Sequence, residues 1–437
     1  MSETKDRPSV GSLSALLGRR EFLLLTGGLA ITLVLPGCGG GGGGGGNTTP
    51  ATGDFFKASN VVVKDTVVVL PTDGSVTLSG QTPDSITLSG IVPALVVGSI
   101  IVSGQDGGLV RKVTSITPNG SDTIVGTEDA GLTDVFDSAK IQFRQGLRAE
   151  HVNEIQTHID GVVIDGSSSR TRASDAFHIS IPKTFIGESN GNVSSGLDIS
   201  AEGALGLAIT GDVDISLANG LEKLELIQAT SWIGKYTLDL KGQVAFLRKE
   251  IPYATFIFDP IPLGAVGPVP IILLPVLFLQ IAASGTFATG FEVIGDGTSV
   301  QTVGFRYTQS PPGSSFTLDN VQGIHSESHK GTFDGVNFFG DLTFEGIPLS
   351  ADLQTSFDGL AGPNFKVDLP AVAVDIKAIP GANTVQIRAD AIFRGKLGAN
   401  AGLLGEAIPQ FSITVGEGKV PFFDHTFKPG DGDVEVH

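Results

Sequence analysis

Several short constellations in this chain hold residue types that can do chemistry, and each requires a structural context from its neighbours. Gly187-Glu188-Ser189-Asn190-Gly191 fits G-x-S-x-G. In that pattern a serine stands exposed on a sharp turn between strand and helix, with an acid and a histidine later in the chain. Here Asn190-Gly191-Asn192 is turn chemistry, and an alternating strand pattern follows where a helix is needed. A hairpin turn is therefore the reading. His151, Glu154 and His158 lie at i, i+3 and i+7 in LRAEHVNEIQTHID. On a helix that spacing aligns three zinc ligands, although a catalytic zinc also needs an open, ordered pocket. The simpler reading is the solvated edge of a helix whose apolar stripe is Val152, Ile155 and Ile159. His325 and His329 suit one metal ion only on a helix; on a strand they stand roughly 13 Å apart. Asp431, Asp433 and Glu435 could face Ca²⁺, but the spacing of a calcium loop is incomplete and no helices flank it, which leaves an acidic terminus. Gly39–Gly46 matches a phosphate-binding glycine pattern trivially, with no strand before it and no helix after it. No catalytic residue, metal ligand or cofactor is assigned on these grounds.

Composition sets the elements that must carry any site. Sixty glycines, 41% hydrophobic and 17% charged residues in 437 indicate an ordered chain, longer than one average domain. Val, Ile, Thr, Gly and Asp abound while strong helix formers are sparse, so the expected class is all-β. The net charge is −18, and the excess lies beyond residue 37, since the first 37 residues hold four basic and three acidic groups. Such a surface offers no basic stripe to displace counterions from phosphates, which argues against a nucleic-acid partner. Cys38 is the single cysteine, so the chain has no internal disulfide and no thiolate pair for a metal.

The stretch from Gly18 to Gly46 reads GRREFLLLTGGLAITLVLPGCGGGGGGGG. Its apolar run, Phe22 to Leu35, is about 14 residues, short of the ~20 that cross a bilayer core. Basic residues before it and small ones after it are the layout of an export signal. Arg19-Arg20 followed by Glu21, Phe22 and Leu23 resembles the twin-arginine export motif, and Leu35-Pro36-Gly37-Cys38 resembles a bacterial lipobox. The resemblance implies cleavage before Cys38, with residues 1–37 as signal peptide, and acylation of Cys38 on both its sulfur and its new amino terminus. More than one chain is what stable anchoring needs, because each buried CH₂ contributes only ~0.8 kcal/mol. Residues 38–54 then form a glycine-rich tether with a root-mean-square reach of roughly 20–25 Å. Gly39 after the cysteine, by analogy with lipoprotein sorting, points to the outer membrane or cell surface.

Beyond the tether, residues 55–146 read as a small β module of short strands. They include Val61–Leu70, Ser75–Gly80, Ser85–Gly90, Gly98–Gly104, Val110–Ile116, Asp122–Gly126 and Lys140–Phe143, with Asn119-Gly120 as a type I′ hairpin signal. The part GSIIVSGQDGGLVRKVTSITPNGSDTIVGTEDAGLTDVF resembles a β-rich module that recurs in bacterial secreted and surface proteins of no assigned biochemistry. Residues 147–165 are expected to hold one connector helix over Leu147–Asp160, ended by Gly161. Residues 166–437 are expected to form a large antiparallel, sandwich-like β domain, because alternation dominates there. Within it Thr255–Gly285 is apolar on both faces and carries five prolines, so it cannot be a spanning helix. Buried central strands are the first reading; the wall of a lipid or ligand pocket, through Ile271, Leu273, Leu277 and Phe278, is the second. A transmembrane barrel would also use alternating strands, but three Tyr and one Trp cannot make two aromatic girdles.

These features lead to an exported, lipid-anchored envelope protein, structural or adhesive and non-catalytic, attached to the membrane through Cys38. A lipid- or glycan-binding lipoprotein is the alternative and a hydrolase the third reading; a lipid, a glycan or another surface protein is the partner such an architecture admits. Replacing Cys38→Ala should move the protein out of the membrane fraction of its cell; retention there would end the lipoprotein reading.

Overall fold

The computed structural model describes residues 53–90, 95–165, 176–190, 193–241, 243–288, 291–308, 317–334, 342–379, 384–399, 411–428 and 434–436. The expected export signal, Cys38 and the tether up to residue 52 lie outside the described residues, as do Asp431 and Asp433. In chain order the strands are β1 (Phe55–Val63), β2 (Val67–Val69), β3 (Thr77–Thr82), β4 (Ser85–Ser89), β5 (Ile100–Ser103), β6 (Leu109–Asn119), β7 (Asp122–Asp129) and β8 (Phe136–Leu147). There follow β9 (Val152–Thr157), β10 (Val163–Asp165), β11 (Ala176–Asn190), β12 (Val193–Ser216), β13 (Gly220–Lys241), β14 (Gln243–Phe258), β15 (Ile261–Val266) and β16 (Val269–Ala288). The last are β17 (Phe291–Thr308), β18 (Thr317–Asp334), β19 (Leu342–Phe357), β20 (Leu360–Ile379), β21 (Thr384–Ala399), β22 (Phe411–Phe427) and β23 (Val434–Val436). The α-helix among the described residues is a single turn, Leu132–Val135. The protein is all-β.

Three sheets result. A front sheet runs β1-β8-β12-β13-β17-β18-β23, with β10 and β11 added beside the first half of β12. A rear sheet runs β22-β21-β20-β19-β16-β14-β9, with β15 paired to β16. A six-stranded module sheet runs β2-β5-β6-β7-β4-β3. Front and rear sheets bury one face each against the other, as the period-2 alternation demands. Leu205, Leu207, Leu226, Trp232 and Leu238 from the front meet Leu277, Leu279, Leu353, Phe365 and Val367 from the rear in one cluster. Phe177 of β11 packs edge-on against Phe256 of β14, with ring centres 5.2 Å apart, which closes one side of the sandwich. The outer face of the front sheet carries cross-strand ion pairs, among them Lys223–Asp212 at 2.7 Å and Arg306–Glu225 at 2.6 Å. Each contributes at most about 1 kcal/mol at such a surface, so their role is to keep that face wet.

The small module is narrower than its expected boundaries. β1 and β8 belong to the front sheet, where Phe56 pairs with Phe143 and Ile141 with Val213. The run Val61–Leu70, expected as one strand, breaks at Lys64–Thr66 because its halves enter different sheets. The module sheet has its own core of Leu70, Ile86, Leu88, Ile101 and Val125. Its β5 and β6 turn Ile100, Val102 and Val110 the other way, into the main core. The β6–β7 hairpin forms as expected but one residue late: Asn119 pairs with Asp122, and Gly120 at φ +65° opens the turn.

The connector helix expected over Leu147–Asp160 does not form. Leu147 ends β8, Ala149–His151 make a 3₁₀ turn, and Val152–Thr157 form β9 at the edge of the rear sheet. There Phe256 pairs with Ile155 and Ala254 with Thr157. Ladder bonds from β14 replace those a helix would make within itself, and Ile155, a member of the expected helical stripe, is 39% exposed. The apolar spacing was compatible with both states, and the open edge of β14 decides between them.

Glycines inside the strands make room for aromatic rings laid over them. Gly203 and Gly234 face each other across β12 and β13, with the ring of Trp232 above both. A Cβ on Gly234 would lie 2.6 Å from Trp232 Cζ2 and 2.5 Å from the Glu202 carbonyl oxygen, neither of which can withdraw. At Gly206 the nearest obstacle is the Ser231 hydroxyl, which can rotate away. Gly234→Ala should therefore cost about 1–3 kcal/mol through overpacking, and Gly206→Ala within about 0.5 kcal/mol. Thermal denaturation of the Asn47–His437 fragment checks the contrast; equal midpoints would contradict this account of Trp232.

Candidate functional site

The rear sheet bends, and polar side chains gather on the outer side of the bend. Register shifts fall side by side: at Tyr253 in β14, between Gln280 and Ala282 where β16 meets β19, and between Asp368 and Ala371 where β20 meets β21. Pro252, Pro348 and Pro370 lie on the same line, and proline supplies no ladder donor. A row of bulges turns a sheet along that row. Tyr253, Leu349 and Leu369 point inward there and are wholly buried. The broken ladder also leaves the Asp368 carbonyl oxygen to face the front sheet, where Gln301 Nε2 donates to it at 3.0 Å.

On the outer side the bend folds polar side chains together. Gln280, Ser350, Asp368 and Arg394 stand opposite one another on β16, β19, β20 and β21. Phe278, Asp352, Lys366 and Lys396 form the next row outward. Lys366 Nζ reaches Glu250 Oε1 at 3.1 Å although two strands separate β20 from β14, a span that requires the outer face to be concave. Arg394 pairs with Glu345 over the same floor. Ser350 and Asp368 are buried, as are Ala282, Ile347, Ala371 and Ile392 around them. Ser350 Oγ has no hydrogen-bond partner among the described residues.

Asp352 lies among these groups with its carboxyl pushed up to about 6. Burial is the main cause; the Lys366 ammonium opposes it and the Glu250 carboxylate reinforces it. The trough thus offers donors, acceptors, one aromatic edge and a carboxyl that changes charge in mildly acidic solution. That set suits hydrogen bonding to a hydroxyl-rich ligand better than holding an apolar one.

The residues singled out in the sequence are dispersed. Ile271, Leu273 and Leu277 point into the core, whereas Phe278, one step out of phase, is half-buried on the trough side. They do not line one pocket. Of the four, Ile271 borders a cavity, shared with Leu132, Ile141, Phe143, Val213, Leu226, Phe357 and Asp358, whose free space of about 20 Å³ is the size of one water. His151 sits in the 3₁₀ turn, its Nδ1 accepting from the Arg148 amide at 3.3 Å, and burial lowers its proton affinity. His158 Nε2 lies 2.9 Å from Thr255 Oγ1, and Glu154 accepts from Gln156 instead. No cluster of three metal-ligating side chains occurs among the described residues. His325 and His329 are on strand β18, opposite Val300 and Gly297. Gly187–Ser189 lie within β11, and Asn190 pairs with Val193 across the β11–β12 hairpin, so Ser189 is not on a strand-to-helix elbow. Among the described residues no helix is long and apolar enough to cross a membrane.

Nothing in the local sequence marked Asp352, Lys366 or Glu250, because each occupies an ordinary polar position of an alternating strand. No known protein family, curated protein or solved structure matches the chain. The class the fold defines is a two-sheet antiparallel sandwich with a docked β module.

Carboxyl NMR of the Asn47–His437 fragment should find Asp352 titrating near pH 6. Glu250→Gln should lower that midpoint and Lys366→Met should raise it. An Asp352 midpoint near the ordinary 3.8 that neither substitution moves would dismantle the trough.

Proposed function

We propose that this chain is an exported, lipid-anchored cell-envelope protein whose folded part is structural or adhesive and non-catalytic. The observation that carries the reading is serial order: Arg19-Arg20, an apolar run, Cys38, eight glycines, and then strands that begin at Phe55. An anchor and a flexible spacer ahead of a self-contained fold are what display at a membrane needs. Two features of the fold support a display role. Its described interior is packed with side chains, and the front sheet presents a broad wet face of paired charges. On this reading the membrane is a partner through the Cys38 lipid, and the acidic surface disfavours nucleic acid.

The trough favours one alternative, a glycan-binding lipoprotein, over a lipid-binding one. Polar rows around Asp352 suit hydroxyls, whereas the cavity beside Ile271 has room for one water only. Fractionation with protease treatment of intact cells tests the main reading. The protein should sediment with membranes and be cut from outside; recovery from the cytosol would refute it. Native mass spectrometry of Asn47–His437 should give the bare polypeptide mass, and a co-purifying lipid would reverse the preference against lipid. Binding on a glycan panel that Asp352→Asn abolishes would replace the structural reading with the glycan one.

A further inference from the structure

The contact between module and sandwich contains a carboxyl that meets no other charged side chain among the described residues. Asp358 and Gly359 are the central residues of the β19–β20 hairpin, at φ +49° and +77°, with Phe357 paired to Leu360 across them. Two consecutive positive φ values make a type I′ turn, in which Asp-Gly is favoured. Within the turn Gly359 is exposed, but Asp358 is buried, 1% accessible. Its Oδ1 accepts from the Ile272 amide at 2.8 Å, and its own amide donates to the Ile272 carbonyl oxygen at 2.9 Å.

What closes over it is the module. The loop Gln105–Gly108 joins β5 to β6, and Gly108, at φ +95°, lies directly on the turn. A Cβ there would stand 2.6 Å from Asp358 Cα and 2.9 Å from Oδ1. Gly107 rests on Leu274, and Gly104 on Pro270 and Ile272. On its other side Asp358 faces the cavity lined by Leu132, Ile141, Phe143, Val213, Leu226, Ile271 and Phe357, all apolar. The one charged residue of the covering loop, Asp106, is exposed to solvent. Among the described residues no cation from β8, β12, β13, β16, the helical turn or the loop lines that space.

We propose that the Asp358-Gly359 turn and the Gln105–Gly108 loop form a proton-dependent latch between module and sandwich, closed over a neutral Asp358 and loosened by its carboxylate. A carboxylate in that space would keep one amide donor and no counter-charge, whereas the neutral acid tolerates the apolar wall. Burial accordingly pushes the Asp358 carboxyl from its ordinary 3.8 to about 8, opposed only by the Ile272 amide. The sign follows from linkage. The closed state keeps a proton that the open state releases, so the closed state is favoured most below about pH 4. It loses ground as pH rises, until about pH 8, and no further beyond. Each pH unit in that window changes the open-to-closed ratio by up to about tenfold.

Val102 of β5 is buried against the main core just before the covering loop, which makes Val102→Cys a reporter of opening. In the full chain carrying Cys38→Ser, its labelling rate is compared with that of the same thiol in the urea-unfolded chain at each pH. The relative rate should rise by up to about a hundredfold between pH 5 and pH 8 and then level off. In an Asp358→Asn background it should stay flat, because Asn also accepts a type I′ turn and its amide oxygen can still take the Ile272 hydrogen bond. A rise of equal size in both backgrounds, or none with Asp358 present, overturns the latch. Should Val102→Cys fail to fold, melting midpoints of the parent chain and of its Asp358→Asn variant at the same pH values serve instead. Those of the variant should fall less from pH 5 to pH 8, and parallel curves would overturn the latch equally.

Discussion

The line of bulges across the rear sheet is the constraint on which most other features rest. A flat sheet of strands as long as β16 or β20 would cover the core with one face and leave the other open. Shifting register at Tyr253, between Gln280 and Ala282, and between Asp368 and Ala371 bends the strands together. The inward side gains Tyr253, Leu349 and Leu369 as core, and the outward side gains a trough. The same break frees the Asp368 carbonyl oxygen, and a buried carbonyl without a partner is costly. Gln301 of the facing sheet meets it, which ties the two sheets at the bend.

The module depends on a second such fit. It turns Ile100, Val102 and Val110 into the sandwich core, so it docks by a shared hydrophobic surface and not only by its linkers. Glycine at 108 lets backbone approach the Asp358 turn more closely than any side chain would allow. A carboxyl sealed beneath that contact weakens docking at high pH, so the joint between the two units is where proton concentration can act. Asp352, in the trough, is held up by burial as well, yet Lys366 lies near enough to moderate it. The two carboxyls differ because one has a cation beside it and the other has only an amide.

Much of the strand content was legible in residue order. Alternation in Leu197–Leu217 and Tyr236–Phe246 identifies long strands with one wet face. The first segment forms most of β12, and the second is divided between the end of β13 and the start of β14. The proline-broken apolar run near Ile271 becomes a central strand, β16, flanked by β14 and β19. The segment Leu147–Asp160 misled because Val152, Ile155 and Ile159 satisfy a helical period while an unpaired strand edge waits elsewhere in the chain. Asn119-Gly120 marked the right hairpin, yet pairing shifted its centre by one residue.

By itself the sequence determined the class of structure and an acidic, cysteine-free chain beyond residue 54. These follow from composition and from period-2 patterning, which depend only on neighbours in the chain. Tertiary structure alone decided which residues of a doubly apolar strand face the core, so Leu277 is sealed while Phe278 looks into the trough. It alone placed Glu250 beside Lys366 and Gly108 on Asp358. Such contacts join residues far apart in the chain, 116 positions in the case of Glu250 and Lys366. The energy that selects them comes from closing the whole sandwich, which no local pattern contains.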